Sequence, residues 1–219
     1  AGPALNFALN RSWASGWAPA MAALLVLSWL RSWRLGVVVT ALGLLGVVVF
    51  RPELPPELIA ADEYSIITRQ AAWEVILGHV IKANPIIGLG PANYYHYAAL
   101  YPIMGYYLRF NSHNQYVDII AQTGIVGLAA FAWLIASIGL LAWRLRSRVR
   151  DGFALGYVSA CLAGLVGSLL AGWLGDWMLP FVYNIGLAGM RASLLAWLFL
   201  GGLVVIHSAV SQSLPGAEP

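Results

Sequence analysis

Apolar and polar positions fall along this chain in long blocks. Uncharged, mostly apolar runs cover Ser12–Leu30, Leu35–Phe50, Ile119–Trp143 and Gly152–Gly175, and a fifth, Trp177–Ile206, is interrupted by Arg191. A bilayer core about 30 Å thick is crossed by about 20 apolar residues in helical conformation, so these blocks predict five membrane-spanning helices. The second is short, and the flanking Arg34 and Arg51 can snorkel to make up its length. A more polar segment, Arg51 to about Ser112, separates the second block from the third.

Composition agrees with the blocks. Hydrophobic residues are 60% of the 219, charged residues 10%, and mean hydropathy is +0.75, whereas soluble domains carry roughly 25% charged residues. The expected fold class is therefore all-α, a polytopic transmembrane helical bundle with a long extracytoplasmic helical loop. Its expected parts are two transmembrane helices in 1–50, the loop with short helices in 51–112, three transmembrane helices in 113–207 and a disordered tail in 208–219.

A net charge of +3 does not point to nucleic acid, because half of the basic residues sit in two clusters beside apolar runs, Arg31/Arg34 and Arg144/Arg146/Arg148/Arg150. Such clusters anchor the cytoplasmic side of spans. With both placed inside, the 51–112 loop and Arg11 lie outside and the C-terminus inside. The single cysteine, Cys161, rules out an internal disulfide. The start "AGPALNF", without Met or a signal-peptide pattern, suggests the C-terminal part of a longer protein.

The outer loop has its own organisation. "RPELPPEL" is extended and Pro-rich. "YSIITRQAAWEVILGHVIKANP" reads as a helix ending before Pro85. Ser65, Arg69, Ala72, Trp73, Ile76 and Val80 share one of its faces, which is apolar apart from Ser65 and Arg69. Arg69 beside Trp73 needs an anionic or carbonyl partner if desolvated; a phosphate suits its planar fork, and an ion pair with Glu74 or Asp62, or an interfacial position, is the structural alternative. The turn-rich "NPIIGLGPANYYHY" leads into Tyr94, Tyr95, Tyr97, Tyr101, Tyr106 and Tyr107. These tyrosines suit a membrane interface, or a wall for sugar rings or head groups.

"FNSHNQYVDIIAQTGIVGL" brings an imidazole to the threshold of the third span. Asn114, Asp118 and Gln122, four residues apart, make a polar stripe below His113, with Asn111 or Ser112 as the expected N-cap. His113 can take a proton from a hydroxyl near neutral pH, or can simply be an interfacial histidine at a capped helix end. Arg11 and Arg109 are further outer cations, each able to bind a pyrophosphate or anchor the chain at the interface. Arg191, in the last span, has Asp176 as its nearest expected counter-ion. "GLGPANY" lacks the Lys-Ser/Thr of a P-loop and the dinucleotide spacing. His79, His96 and His113 lack metal-ligand spacing, so no metal and no cofactor is expected.

Two segments, "TRQAAWEVILGHVIKANPIIGLGPANYY" and "SHNQYVDIIAQTGIVGL", resemble the O-antigen ligase / O-antigen polymerase (Wzy-like) superfamily. The resemblance rests on Arg69 and Trp73; on Pro85, Gly88 and Gly90; on His113, Asn114 and Tyr116; and on Gly124, Ile125, Gly127 and Leu128. "LNRSWASGW" is similar to a Ser-Arg segment of that family, with Asn10 where Ser is usual. The resemblance covers roughly Leu5 to Ile138; the last two spans match by hydropathy alone.

The resemblance implies a metal-independent, inverting glycosyltransferase. It would move a glycan from an undecaprenyl-pyrophosphate carrier to a lipid or glycan acceptor hydroxyl outside the bacterial cytoplasmic membrane. His113 would be the base and Arg69 the catalytic cation. Arg11, Arg109, Asn114, Trp73 and Tyr116 would bind substrate. The family usually has about twice as many spans. The rival readings are a transporter or flippase for the lipid-linked glycan and a non-catalytic membrane scaffold.

Overall fold

In lipid, a backbone satisfies its own polar groups most simply as a helix, and helices are what the apolar runs form. The computed structural model describes residues 14–50, 56–91, 93–107, 110, 112–149, 152–180 and 182–212. Its helices are α1 (Ala14–Arg31), α2 (Trp33–Phe50), α3 (Pro56–Val75), α4 (Tyr94–Ala98), α5 (Gln115–Arg148), α6 (Gly152–Leu174) and α7 (Val182–Gln212). Helix α3 continues through a π-helical turn, Ile76–Val80, into a last turn, Ile81–Ala83. It stops where Pro85 forces the preceding residue out of helix, and Asn84 leaves the helical region at φ −153°, ψ 80°. Among the described residues there is no β-strand.

Helix α6 is the centre of the bundle. It packs along α1, against α5 and against α7, and α2 folds back on α1. The α1–α6 crossing is close because Gly167 has no side chain: a Cβ there would lie 2.7 Å from the carbonyl oxygen of Pro19. At the other end of α5, Arg146 donates to the carbonyl of Leu30 (2.5 Å). This contact ties a member of the second basic cluster to the end of α1, beside the first. The central core joins Ile119, Phe131, Leu145, Val158, Leu165 and Leu203 from α5, α6 and α7.

Among the described residues, three segments are long and apolar enough to cross a membrane: α5, α6 and Ser193–Gln212 of α7. The first two predicted spans are also helical, as α1 and α2, with Trp33–Gly46 forming a shorter apolar stretch. The first part of the Pro-rich segment, "RPELP", the first 13 residues and most of the predicted tail lie outside the described residues; the rest of that segment, expected to be extended, is already helical, because α3 begins at Pro56, a first-turn position that tolerates proline.

Helix α5 is broken at Gly124 (φ 65°, ψ −167°), a backbone region essentially closed to side-chain-bearing residues. The segment Ile125–Arg148 is about 36 Å long at 1.5 Å per residue, and the 23-residue α6 about 34 Å. Each is long enough to span a bilayer core, so the break falls where the span-length part of α5 begins. The break leaves backbone groups open, and the Pro85–Gly90 turn closes them. Leu89 N and Gly90 N donate to Ala121 O and Gln122 O (3.0 and 2.9 Å), while Ile125 N and Val126 N donate to Pro85 O and Ile86 O (2.9 and 3.2 Å). The fit requires two glycines: a Cβ on Gly88 would lie 2.3 Å from the Gln122 carbonyl carbon, and one on Gly124 would lie 2.2 Å from Ile86 O. The "P-x-x-G-x-G" and "G-I-x-G-L" elements are thus two halves of one backbone joint. The apolar side of α3 seals it, with Ile76, Val80 and Ile81 packed against Tyr94, Ala98 and Ala121.

Candidate active site

The polar cluster before α5 folds into a brace around His113. Asn114 is the N-cap, with its Oδ1 accepting from Tyr116 N (3.0 Å) and Val117 N (3.2 Å). This corrects the expected cap at Asn111 or Ser112: the chain turns through a left-handed His113 (φ 47°), which leaves Asn114 in the extended conformation a cap needs. Asn111 lies outside the described residues. Ser112 supports the turn instead. Its Oγ accepts from Asn114 N (3.1 Å) and donates to Asp118 Oδ1 (2.7 Å), with Asn114 O at the same distance.

A left-handed non-glycine residue costs on the order of 1–3 kcal/mol, so His113 is held there by its neighbours. Trp73 Nε1 donates to Ser112 O (2.7 Å) and Asn114 Nδ2 to Trp173 O (3.2 Å). One flank of His113 is thereby fixed to α3 and the other to the end of α6. The two tryptophans meet edge-on at 5.9 Å, and Tyr116 lies 6.2 Å from Trp173. Tyr116 OH donates to Leu169 O (2.7 Å). Trp73, Asn114 and Tyr116, expected to bind substrate, therefore sit together beside His113 with their polar atoms engaged by backbone groups. Arg11 and Arg109 lie outside the described residues.

Arg69 is half-buried and caps α6, its Nη1 donating to Leu174 O (3.2 Å). One bond leaves most of a guanidinium's five donors for other partners. Its charge reaches His113. Burial first and the Arg69 charge second lower the His113 pKa from its usual value. The imidazole, exposed on one side, is therefore neutral at pH 7 and able to accept a proton.

A buried acid network lies beneath. Asp118 is fully enclosed; its Oδ1 accepts from Tyr94 OH (2.5 Å) as well as Ser112 Oγ, and Tyr94 OH in turn accepts from Ser112 N (3.1 Å). Asp176, in the α6–α7 connection, hydrogen-bonds Asp118. Its pKa is pushed up to about 8, chiefly by burial and then by the Asp118 charge, with Arg69 opposing. Burial and the neighbouring carboxyl thus favour the protonated form of Asp176. The connection holding Asp176 is fixed from both sides: Gln115 Oε1 accepts from Leu179 N (2.9 Å), Ser193 Oγ donates to Trp177 O (2.8 Å) and Trp197 Nε1 to Met178 O (2.7 Å). Asp176 therefore faces Asp118 and the Arg69 charge, while Arg191, its expected partner, is exposed.

The stripe Asn114, Asp118, Gln122 was visible as a four-residue spacing, and all three are buried. Tyr94 and Asp176 carried no such signal; Tyr94 belongs to this network and is buried away from any tyrosine wall. Beside the aromatic trio an apolar cleft of about 580 Å³ is lined by Ala22, Tyr116, Val166, Leu169, Leu170 and Trp173. Among the described residues no three His, Cys, Asp or Glu side chains are grouped to hold a metal ion.

These features define a helical integral membrane protein with a neutral imidazole and an arginine at one end of its spans. The O-antigen ligase family model matches residues 4–132, more than half of the chain, and the chain belongs to that family. The match runs from before α1 into α5 and stops short of α6 and α7, as the motif distribution implied. No curated protein and no solved structure matches the chain.

Proposed function

We propose that this protein is a glycosyltransferase that moves a glycan from an undecaprenyl-pyrophosphate carrier to an acceptor hydroxyl at the outer face of the bacterial cytoplasmic membrane. The observation that supports this most is the meeting of Arg69 and His113 at the end of α6, with the arginine's charge helping to keep the imidazole neutral. The acceptor, a lipid in ligation or a growing glycan in polymerisation, loses its hydroxyl proton to the His113 ring as its oxygen attacks the anomeric carbon. The bond from that carbon to the pyrophosphate oxygen breaks with its electron pair, and the sugar inverts. Arg69 offsets the charge that builds on the leaving oxygen. Arg11 is assigned to the same pyrophosphate, and Arg109 to the glycan.

The remaining predicted site residues have positioning roles in this scheme. Trp73 and Asn114 fix the two flanks of the His113 turn, and Tyr116 and Trp173 border the apolar cleft. That cleft is shallow and open, and its apolar lining suits an isoprenoid chain lying against it. It runs beside the site, as a membrane-held donor requires.

The test is glycan transfer by the purified protein in liposomes containing a lipid-linked donor and an acceptor, with EDTA present. The proposal expects product with the carrier pyrophosphate released. A protein that carries the intact donor across the bilayer and transfers nothing is instead a flippase. Loss of transfer in EDTA, with recovery on adding a divalent ion, contradicts the metal-free scheme.

A further inference from the structure

We propose that the Pro85–Gly90 turn is a membrane-inserted wedge whose Ile86 and Ile87 side chains occupy the acyl region of the outer leaflet. The sequence placed this turn in the extracytoplasmic loop, but its contacts belong to the spanning bundle. Ile125 N and Val126 N bond to Pro85 O and Ile86 O, so the turn lies against the first residues of the spanning part of α5.

The exposed side chains are continuous across that joint: Ile86 is 62% exposed, Ile87 65%, Ile125 53% and Val126 56%. Ile125 and Val126 begin a segment of span length, so their open face is turned to lipid, and the isoleucines of the turn extend it. A soluble loop would turn polar residues outward at these positions.

The backbone of the turn suits the same environment. Leu89 N and Gly90 N donate into the α5 break, Gly88 N donates to Asn84 O (3.0 Å), Ile87 N reaches Asn84 Oδ1 (3.5 Å), and Pro85 has no N–H. Irregular backbone is tolerated at membrane depth when protein groups satisfy it in this way. Exposed Leu77 adds to the apolar surface one helical segment away, and exposed Lys82 stands just before the turn, where its ammonium can reach head groups. The wedge fixes the height of α3, and with it Arg69, against the bilayer.

Site-directed spin labelling tests this directly. Single cysteines replace Ile86, Ile87, Val126 and Arg148 in a Cys161→Ala background, in nanodiscs of phosphatidylcholine and phosphatidylglycerol. Monodispersity on gel filtration selects the variants that fold. Arg148 is exposed in the basic last turn of α5 and serves as the water-side reference. Labels at 86 and 87 are expected to collide with oxygen and be shielded from a water-soluble nickel chelate, as at 126 and opposite to 148. Nickel access at 86 and 87 equal to that at 148 overturns the proposal. Shielding from both reagents also overturns it, because protein would then cover the face. Nickel access at 126 removes the lipid-facing surface that the wedge extends, with the same consequence.

Discussion

Adding one methyl group at Gly124 should break the joint between the Pro85–Gly90 turn and the start of the span-length part of α5. The residue sits at φ 65°, ψ −167°, and a Cβ would lie 2.2 Å from Ile86 O and 2.5 Å from Ile87 N. Forcing alanine into that backbone region costs on the order of 1–3 kcal/mol. The contact cannot be relieved by a side-chain rotation, because every close atom is backbone. The turn must move away, weakening at least the two bonds from Ile125 N and Val126 N, each worth about 0.5–1.5 kcal/mol. Gly124→Ala is therefore expected to lose about 2–6 kcal/mol in all. Gly105→Ala is the matched control: it also has a positive φ (88°) but nothing within 4 Å of a new Cβ, so it carries the backbone cost without the clash. Intrinsic tryptophan fluorescence during thermal unfolding in detergent reads the difference. A Gly124→Ala protein as stable as Gly105→Ala would refute the interlocked-backbone reasoning.

Other consequences concern charge and positioning. Arg69→Gln removes a cation that depresses His113, so the acid limb of the kcat/KM profile should move to higher pH, while Arg69→Lys should leave it nearer the wild-type position; an unmoved limb in Arg69→Gln would separate the two residues. Asp176 binds a proton more tightly folded than unfolded, its pKa rising from 3.8 to about 8, so stability should fall as pH rises through that window. Asp176→Asn, which can still donate to Asp118, should flatten this dependence in denaturation curves taken from pH 5 to pH 9, and an unchanged slope would place the titration elsewhere. Trp73→Phe deletes the bond to Ser112 O at a stability cost of about 1 kcal/mol; transfer should fall further than that loss explains, because the His113 turn loosens, and wild-type kcat would show that the bond does not position the imidazole.

Much of the bundle was legible because a lipid-facing helix advertises itself as a long apolar run. The helical conformations of α1, α2, α5, α6 and α7 follow those runs, and α3 ends where Pro85 requires. The two residues proposed to carry the chemistry were conspicuous too, as an arginine on an apolar face and a histidine above a polar stripe, and the structure brings them close enough for the arginine's charge to act on the imidazole. The backbone joint was not. Pro85, Gly88, Gly90 and Gly124 announce turns, but main-chain bonds between distant segments leave no side-chain pattern to show which turn fits which break. The choice of Asn114 over Ser112 as cap depended on one left-handed residue between them. The pairing of Asp176 with Asp118 depended on how the α6–α7 connection is fastened, through Gln115, Ser193 and Trp197, none of which is charged. Hydropathy pointed to Arg191 because it sees depth and charge but not the direction a loop faces.

The most direct measurement is glycan transfer from a lipid-linked donor by wild type, His113→Ala and Arg69→Ala in liposomes, each first shown to be monodisperse. His113 is exposed and its ring supports no packing core, so its removal should leave the fold intact and reduce kcat about 10²–10⁴-fold, the usual contribution of a general base. Arg69→Ala should lose transfer to a comparable degree while still binding the acceptor. Transfer at wild-type rate by folded His113→Ala would mean that another group takes the acceptor's proton and would contradict the account at its centre.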